Sequence, residues 1–391
     1  MSAIEHPGPS LATSRRVTRA HIYLDRIEAN ARAVRALIGP DVALLAVIKA
    51  DGYGHGAIPA ALAALAAGAT WLGVACVDEG VVVRAAGIRA PVLVMGHAAP
   101  EELRAAIGSD LTLTLGTATQ CGAMLDAARQ IGGPIRVHLK IDTGMGRFGL
   151  LPEQLEAVAP TLRDTRHIVV DGLFTHLARG EEDPRLATDA QLAIFEQSIA
   201  LLARYGIRPR HRHAANSGAT LIAPHARLTM VRAGLLLYGY RPDPAVLPKL
   251  SLRPAMELRS ALVRVETLPA GTAIGYGHTH RLKCPTRVGL VPIGYADGLL
   301  RALSDAGYLV AGGRRVPIVG RISMDQCTVD LSEAPALREG DPVVIIGREG
   351  EASVWAHDLA AWAGTIGYEI LCGIVPRVPR HYHATHLPSV D

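Results

Sequence analysis

Between about residues 42 and 236, short apolar runs alternate with stretches of helical period. The runs are "VALLAVI" (42–48), "WLGVA" (71–75), "PVLVM" (91–95), "LTLTL" (111–115), "IRVHLKI" (135–141), "HIVVDGLF" (167–174), "HRHAA" (211–215) and a last one near "LTMVRAGLLLYG" (228–239). Largely apolar runs of this length, bounded by polar or glycine-containing segments, predict strands buried on both faces, as in a parallel sheet. Helical patterns such as 117–131 and 187–206 separate most of them. Eight strand–helix units in roughly 200 residues predict a (β/α)8 TIM-like barrel near the lower size limit of that fold. A doubly wound open sheet is the rival, and the count of eight favours closure. Residues 57–77 carry no charge, yet alanine dominates them and Gly68-Ala69-Thr70 interrupts them. They read as an ordinary helix and a short strand, not as a membrane span.

Beyond about residue 250 the pattern changes to valine- and isoleucine-rich runs punctuated by glycine and proline, with one good helix candidate at 353–365. This predicts a second, mainly β domain over 251–391, after a barrel domain over 17–250 and a flexible tail over 1–16. The strand-like "HIYLD" at 21–25 precedes the barrel pattern and can join either domain.

Composition narrows the setting. With 49% hydrophobic and 19% charged residues in 391, the chain has ample material for a large core. A net charge of +4 from scattered Lys and Arg gives no footprint for nucleic acid. Five cysteines without C-x-x-C spacing predict reduced thiols in a cytoplasmic protein, and no metal is expected. The N-terminal stretch has no apolar run of signal-peptide length.

In a barrel of this kind, polar residues at the C-terminal ends of strands are the catalytic candidates. Lys49 ends the first run, Arg147 follows the fifth, His176 the sixth and Asn216-Ser217 the seventh, while Arg232 and Gly234 lie in the eighth. Singly, each has an ordinary reading: a snorkelling lysine, a structural histidine, a helix cap, a surface charge. Their convergence on one rim favours a site. A lysine among apolar neighbours has its ammonium form disfavoured, which suits a base or a Schiff-base nucleophile. Tyr53 lies close by in "GYGHG", and Gly, Ser and Asn groups after the seventh and eighth strands form a plausible phosphate cradle. One competing pattern, G-x-G-x-x-G at 144–149, would suggest a dinucleotide site, but it follows a fifth strand instead of opening a sheet.

Taken together, "AVIKADGYGHG", "LKIDTGMGRFG", "GLFTHLA", "HAANSGA", "VRAGLLLYG", "GYGHT", "IGYADG", "GRISMDQ" and "GYEIL" closely resemble the motifs of alanine racemase, in order, from about residue 20 to 385. The resemblance implies a pyridoxal 5'-phosphate (PLP) enzyme interconverting L- and D-alanine, with D-alanine going to peptidoglycan. Lys49 would carry the cofactor and act as one proton-transfer base. Tyr276 would be the other, reaching in from the partner of a head-to-tail homodimer. His176 would lie near Tyr276 and the cofactor ring, Arg232 would face the pyridine nitrogen, and Tyr53, Asn216, Ser217, Gly234 and Tyr368 would complete the cofactor cradle. Arg147 and the Met324 backbone would receive the substrate carboxylate, with Tyr295 lining the entry. Lys140 matches a lysine that is carbamylated in many members and then supports Arg147. Ser323 stands where some members have cysteine. The alternatives are a basic-amino-acid decarboxylase or broad-specificity racemase of the same plan, a barrel-only PLP carrier, and a dinucleotide oxidoreductase. The "GRISMDQ" segment, Tyr276 and the second domain favour the alanine racemase.

Overall fold

The structure, a computed structural model, describes residues 15–179, 187–242 and 250–383. The tail expected over 1–16 lies, up to residue 14, outside the described residues. The chain separates into two compact units, one containing Leu24–Gly52 and Gly56–Pro254, the other 15–23, Tyr53–His55 and 255–383.

After β1 (Arg19–Tyr23), the first unit carries eight strands: β2 (Ala43–Val47), β3 (Trp71–Val74), β4 (Val92–Val94), β5 (Thr112–Leu115), β6 (Ile135–Lys140), β7 (Ile168–Phe174), β8 (His211–His213) and β9 (Met230–Ala233). All pair in parallel, in the order β8-β7-β6-β5-β4-β3-β2-β9. The seam between β8 and β9 closes through backbone bonds from Thr229 N–H to Arg212 O (3.1 Å) and from Arg232 N–H to Ala215 O (3.0 Å). This is the expected (β/α)8 barrel. Leu44, Leu45, Leu72, Leu93, Leu113, Val137, Leu139 and Leu173 are fully buried, which explains why these strands show runs instead of alternation. Residues 57–77 form a helix, Ala57–Ala66, and then β3, and no helix among the described residues is long and apolar enough to cross a membrane.

One barrel boundary differs from the sequence expectation. The run at 228–239 is strand only over Met230–Ala233. From Gly234 the chain folds into successive tight turns, with Leu237 N–H on Gly234 O and Tyr238 N–H on Leu235 O, while remaining buried throughout. Burial demands apolar residues whether the backbone is extended or coiled, so the pattern alone does not separate them.

The second unit is mainly β, as expected. Its strands are β10 (Met256–Ala261), β11 (Arg264–Leu268), β12 (Ala273–Ile274), β13 (His280–Arg281), β14 (Thr286–Val291), β15 (Tyr308–Ala311), β16 (Arg314–Pro317), β17 (Cys327–Asp330), β18 (Pro342–Glu349), β19 (Ala352–Val354) and β20 (Arg380–His383). One sheet runs β16-β15-β18-β10-β1-β20, with β19 on β18, a second runs β11-β14-β17, and β12-β13 form a hairpin. The strand expected at 21–25 is β1, and it pairs with β10 and β20 of this unit. The helix expected at 353–365 begins only at Ala356, because 352–354 belong to β19 and the Asp358 carboxylate caps the start by accepting Trp355 N–H at 2.8 Å. A second short helix, Gly367–Cys372, is also present.

Candidate active site

The parallel strands deliver Lys49, Arg147, His176, Ser217, Arg232 and Gly234 at or just beyond their C-terminal ends, so the barrel itself brings these six to one rim. Electrostatics register the convergence. Burial first, then the charges of Arg232, Arg147, Lys140 and Lys49, pull the His176 imidazole down to about 3. Burial, Arg147 and Arg232 likewise lower the Lys140 amine to about 8, with Asp142 opposing and Lys49 adding.

Arg232 organises the rim from below. Its guanidinium is buried, and burial lowers it to about 9, still a cation at neutral pH. Nη1 donates to His213 Nδ1 (3.0 Å) and His213 O (3.1 Å), and Nη2 donates to Thr175 O (2.8 Å), Ala214 O (2.9 Å) and His176 Nδ1 (3.3 Å). Among the described residues its Nε–H has no hydrogen-bond partner. The imidazole protons follow. Burial and Arg232 hold His213 well below its ordinary value, so it is neutral and accepts from Arg232 at Nδ1. Its proton is therefore on Nε2 and donates to His138 Nδ1 at 2.9 Å. His176, accepting at Nδ1, carries its own proton on Nε2, on the far side of the ring.

Lys49 follows β2 and opens a turn of left-handed backbone, with φ of 52° at Ala50, 51° at Asp51, 61° at Gly52, 54° at Tyr53 and 77° at Gly54. Three of these five carry side chains, each in a conformation that costs about 1–2 kcal/mol. The turn is over-determined by its surroundings. The Glu79 carboxylate accepts Ala50 N–H and Ala75 N–H at 2.7 Å each, and Asp51 accepts Ala57 N–H at Oδ1 (2.8 Å) and Gly56 N–H at its carbonyl (2.8 Å).

The loop bearing Arg147 is built around Asp142, whose carboxylate accepts the N–H groups of Gly144 (2.9 Å), Met145 (2.9 Å), Gly146 (3.1 Å) and Arg147 (3.0 Å). Although burial opposes them, these bonds hold the Asp142 carboxyl below its ordinary value. They also answer the dinucleotide reading of G-x-G-x-x-G, since the amides that would cradle a pyrophosphate are already committed. Lys140 is packed between two aromatic faces, Phe148 at 5.1 Å and Phe174 at 5.8 Å. Gln191 links the loop to the His176 segment by donating to Thr143 Oγ1 (3.0 Å) and His176 O (3.2 Å). Asn216 caps the helix Ser217–Ile222 by accepting Ala219 N–H at 3.0 Å, and buried Ser217 Oγ accepts Gly234 N–H at 3.0 Å.

The second unit carries the remaining candidates. Tyr53 is buried, its ring 6.0 Å from that of Tyr368, and burial with the Cys372 thiol pushes its phenol well above the ordinary value. Gly54 admits no side chain, because a Cβ there would stand 2.4 Å from Leu371 O. Tyr276, Tyr295 and Met324 are instead exposed, by 70%, 43% and 53%. Tyr295 N–H and Ala296 N–H donate to Ser323 O (3.1 Å) and Met324 O (2.9 Å), while Met324 N–H has no partner among the described residues. Buried Asp297 closes the Tyr295 turn by accepting Gly294 N–H (3.0 Å), and Arg16 and Arg377 each donate to it at 2.6 Å. Sequence reading missed Glu79, Asp142, Gln191, His213 and Asp297. Each acts through backbone amides or through another side chain, and only Asp142, inside a recognised motif, offered a signal.

The chain is similar to known proteins over nearly its whole length. The family described as "Alanine racemase, N-terminal domain" matches residues 22–242, and "Alanine racemase, C-terminal domain" matches 255–382. The chain is 43% identical over 367 residues to an alanine racemase of Symbiobacterium thermophilum, covering 94% of this chain and 97% of that one. The crystal structure of alanine racemase from D-cycloserine-producing Streptomyces lavendulae has a TM-score of 0.90 at 39% identity, covering 95% of this chain and 98% of that one. The Bacillus anthracis alanine racemase with bound L-Ala-P has a TM-score of 0.90 at 34% identity, with 96% and 97% covered. Two matching domain families in order, and a shared fold over nearly the whole chain, establish that this chain belongs to the alanine racemase family of isomerases.

Proposed function

We propose that this protein interconverts L- and D-alanine in the cytoplasm with pyridoxal 5'-phosphate, by a two-base mechanism in a homodimer, and that its D-alanine supplies peptidoglycan. The observation that carries the reading is the cationic barrel mouth, where Lys49, Lys140, Arg147 and Arg232 all act on His176. Such a mouth suits a ligand pair bearing a phosphate and a carboxylate.

The residues fit the cofactor at three points. Lys49 presents an amine where an aldehyde can be held. The Nε–H of Arg232, with no protein partner among the described residues, is a donor for a ring nitrogen. Ser217 and Gly234, with Asn216 beside them, would hold the phosphate, a role the family resemblance also gives to Tyr53 and Tyr368. When bound, PLP supplies the aldehyde for the substrate amine and the electron sink that acidifies the substrate Cα–H. Arg232 keeps its own proton at neutral pH and would donate to a ring nitrogen without transferring it, a donor that would favour racemisation over transamination.

Racemisation needs one base on each face of Cα. Lys49 Nζ would serve one face and Tyr276 Oη of a second copy the other, each removing or returning the proton in turn. Tyr276, Tyr295 and Met324 stand on the surface of their own unit, which supports their completing a neighbouring subunit's site. His176 Nε2–H would steady the Tyr276 phenolate, while Arg147 and Met324 N–H would take the carboxylate.

The activity test is direct: PLP-saturated protein incubated with L-alanine and other L-amino acids should yield D-alanine foremost by chiral chromatography. Absence of D-alanine would refute the reading. Two further outcomes are expected. Asp142→Ala frees four amides and the Arg147 loop, so KM for alanine should rise about tenfold in steady-state kinetics, equivalent to about 1.4 kcal/mol, with kcat less affected. Lys140, with its amine at about 8, holds a growing neutral fraction as pH rises through that value. It should therefore take up carbon dioxide, its nitrogen bonding the carbon and releasing a proton, more fully at pH 8.5 than at pH 6.5, as read by carbon-13 NMR with labelled bicarbonate.

A further inference from the structure

We propose that Asp305 is a positioning residue for Tyr276, clamping the turn that carries this tyrosine to the segment that ends at Met324. The inference rests on the reading of Tyr276 as the second base. The Asp305 carboxylate accepts three hydrogen bonds: Gly320 N–H at Oδ1 (2.6 Å), His280 Nδ1 at Oδ1 (3.1 Å) and Thr279 Oγ1 at Oδ2 (3.1 Å). None goes to its own loop. Two hold the residues just after the Tyr276–His278 turn, and one holds the start of the Gly320–Met324 segment. The neighbouring Ser304 adds a second strap, its Oγ accepting Ile322 N–H at 3.0 Å.

The strapped segments already touch. A Cβ on Gly275 would lie 3.0 Å from Arg321 N, and one on Gly277 would lie 2.9 Å from an Arg321 guanidinium nitrogen. The turn needs outside support. Its backbone is left-handed at Gly275 (φ 68°), Gly277 (φ 73°) and His278 (φ 50°), and with Tyr276 70% exposed the ring gains little from packing within its own unit. Asp305 itself has φ of 57°, a conformation aspartate adopts more readily than most residues. An ordinary turn-closing aspartate would bond its own backbone one or two residues on. This one reaches across 15 to 26 positions to both segments that the proposed function uses. Proton transfer needs donor and acceptor held near 3 Å, and a misplacement of about 1 Å costs roughly a hundredfold. A clamp that fixes Tyr276 relative to Met324 N–H fixes the base relative to the carboxylate, and hence to Cα.

The test uses the PLP-loaded enzyme with Asp305→Gly, which tolerates the backbone angle and removes the carboxylate, and with Ser304→Ala. Because the two enantiomers are equally stable in solution, kcat/KM must fall equally in both directions, so rate alone does not distinguish the bases. Alanine deuterated at Cα does. Asp305→Gly should lower kcat about tenfold and raise the deuterium isotope effect only in the direction in which Tyr276 removes the deuteron. Ser304→Ala should raise KM without changing either isotope effect. Should Asp305→Gly fail to fold, Thr279→Val removes one arm and should give a smaller rise in the same single direction. Isotope effects that rise equally in both directions, or a change confined to melting temperature, would overturn the clamp. Tyr276→Phe run in parallel separates the two ideas: full activity there refutes the second base, whereas an inactive Tyr276→Phe with unchanged isotope effects in the Asp305 and Thr279 variants refutes the clamp alone.

Discussion

Neither a Lys49→Ala chain nor a Tyr276→Phe chain should racemise alanine, and an equimolar mixture allowed to exchange subunits should recover about a quarter of the wild-type rate. The recovery is a counting argument. Random exchange makes about half of the dimers mixed, and a mixed dimer has one site that draws an intact Lys49 from one chain and an intact Tyr276 from the other. Separately, each variant lacks one of two bases, and a positioned base contributes about 10²–10⁴-fold. Lys49→Ala should also lose the visible absorbance of covalently held cofactor, while Tyr276→Phe should retain it. An active Tyr276→Phe homodimer, or a mixture that stays inactive after exchange is verified by mass, would sink the shared site. The exposure of Tyr276, Tyr295 and Met324 in the unit that carries them is what motivates the experiment.

Arg232→Lys should cost both stability and activity, although it preserves the charge. The guanidinium makes five hydrogen bonds, to two imidazoles and three carbonyl oxygens, and an ammonium has three donors in a different geometry. At least two buried acceptors would be left unsatisfied, at about 1–3 kcal/mol each, so urea unfolding should show a loss of roughly 2–6 kcal/mol. Racemisation should fall about a hundredfold, because the Nε donor and the orientation of His176 disappear together. A Lys variant with wild-type midpoint and rate would show that Arg232 is merely a buried charge.

Much of this was readable from residue pattern. The runs placed all eight barrel strands within a few residues, and most are largely apolar because a strand covered on both faces has few polar positions, whereas β8 (His211–His213) is polar throughout. The last run overstated its strand, since "GLLLYG" is buried as turns. The motif residues were legible because they bring reactive groups to strand ends, where topology supplies the geometry. What escaped was the supporting layer. Glu79 holds Ala50 from 29 positions away, and Asp305 reaches 25 positions to His280, distances over which sequence carries no periodicity. His213 and His138 sat in strands where a histidine gives no hint that its neighbour is a buried arginine.

The left-handed turn after Lys49 has a consequence for engineering. A chain shaped only by durability would have glycine at 50 as well as at 52 and 54, since glycine visits that region freely. Ala50 instead holds its angle against preference, which makes it a natural target when a more heat-resistant variant is sought, whereas Asp51 keeps its angle through the carboxylate that accepts Ala57 N–H. The gain would come with a looser turn beside the lysine, and the trade between shelf life and turnover in this protein should be most visible at position 50.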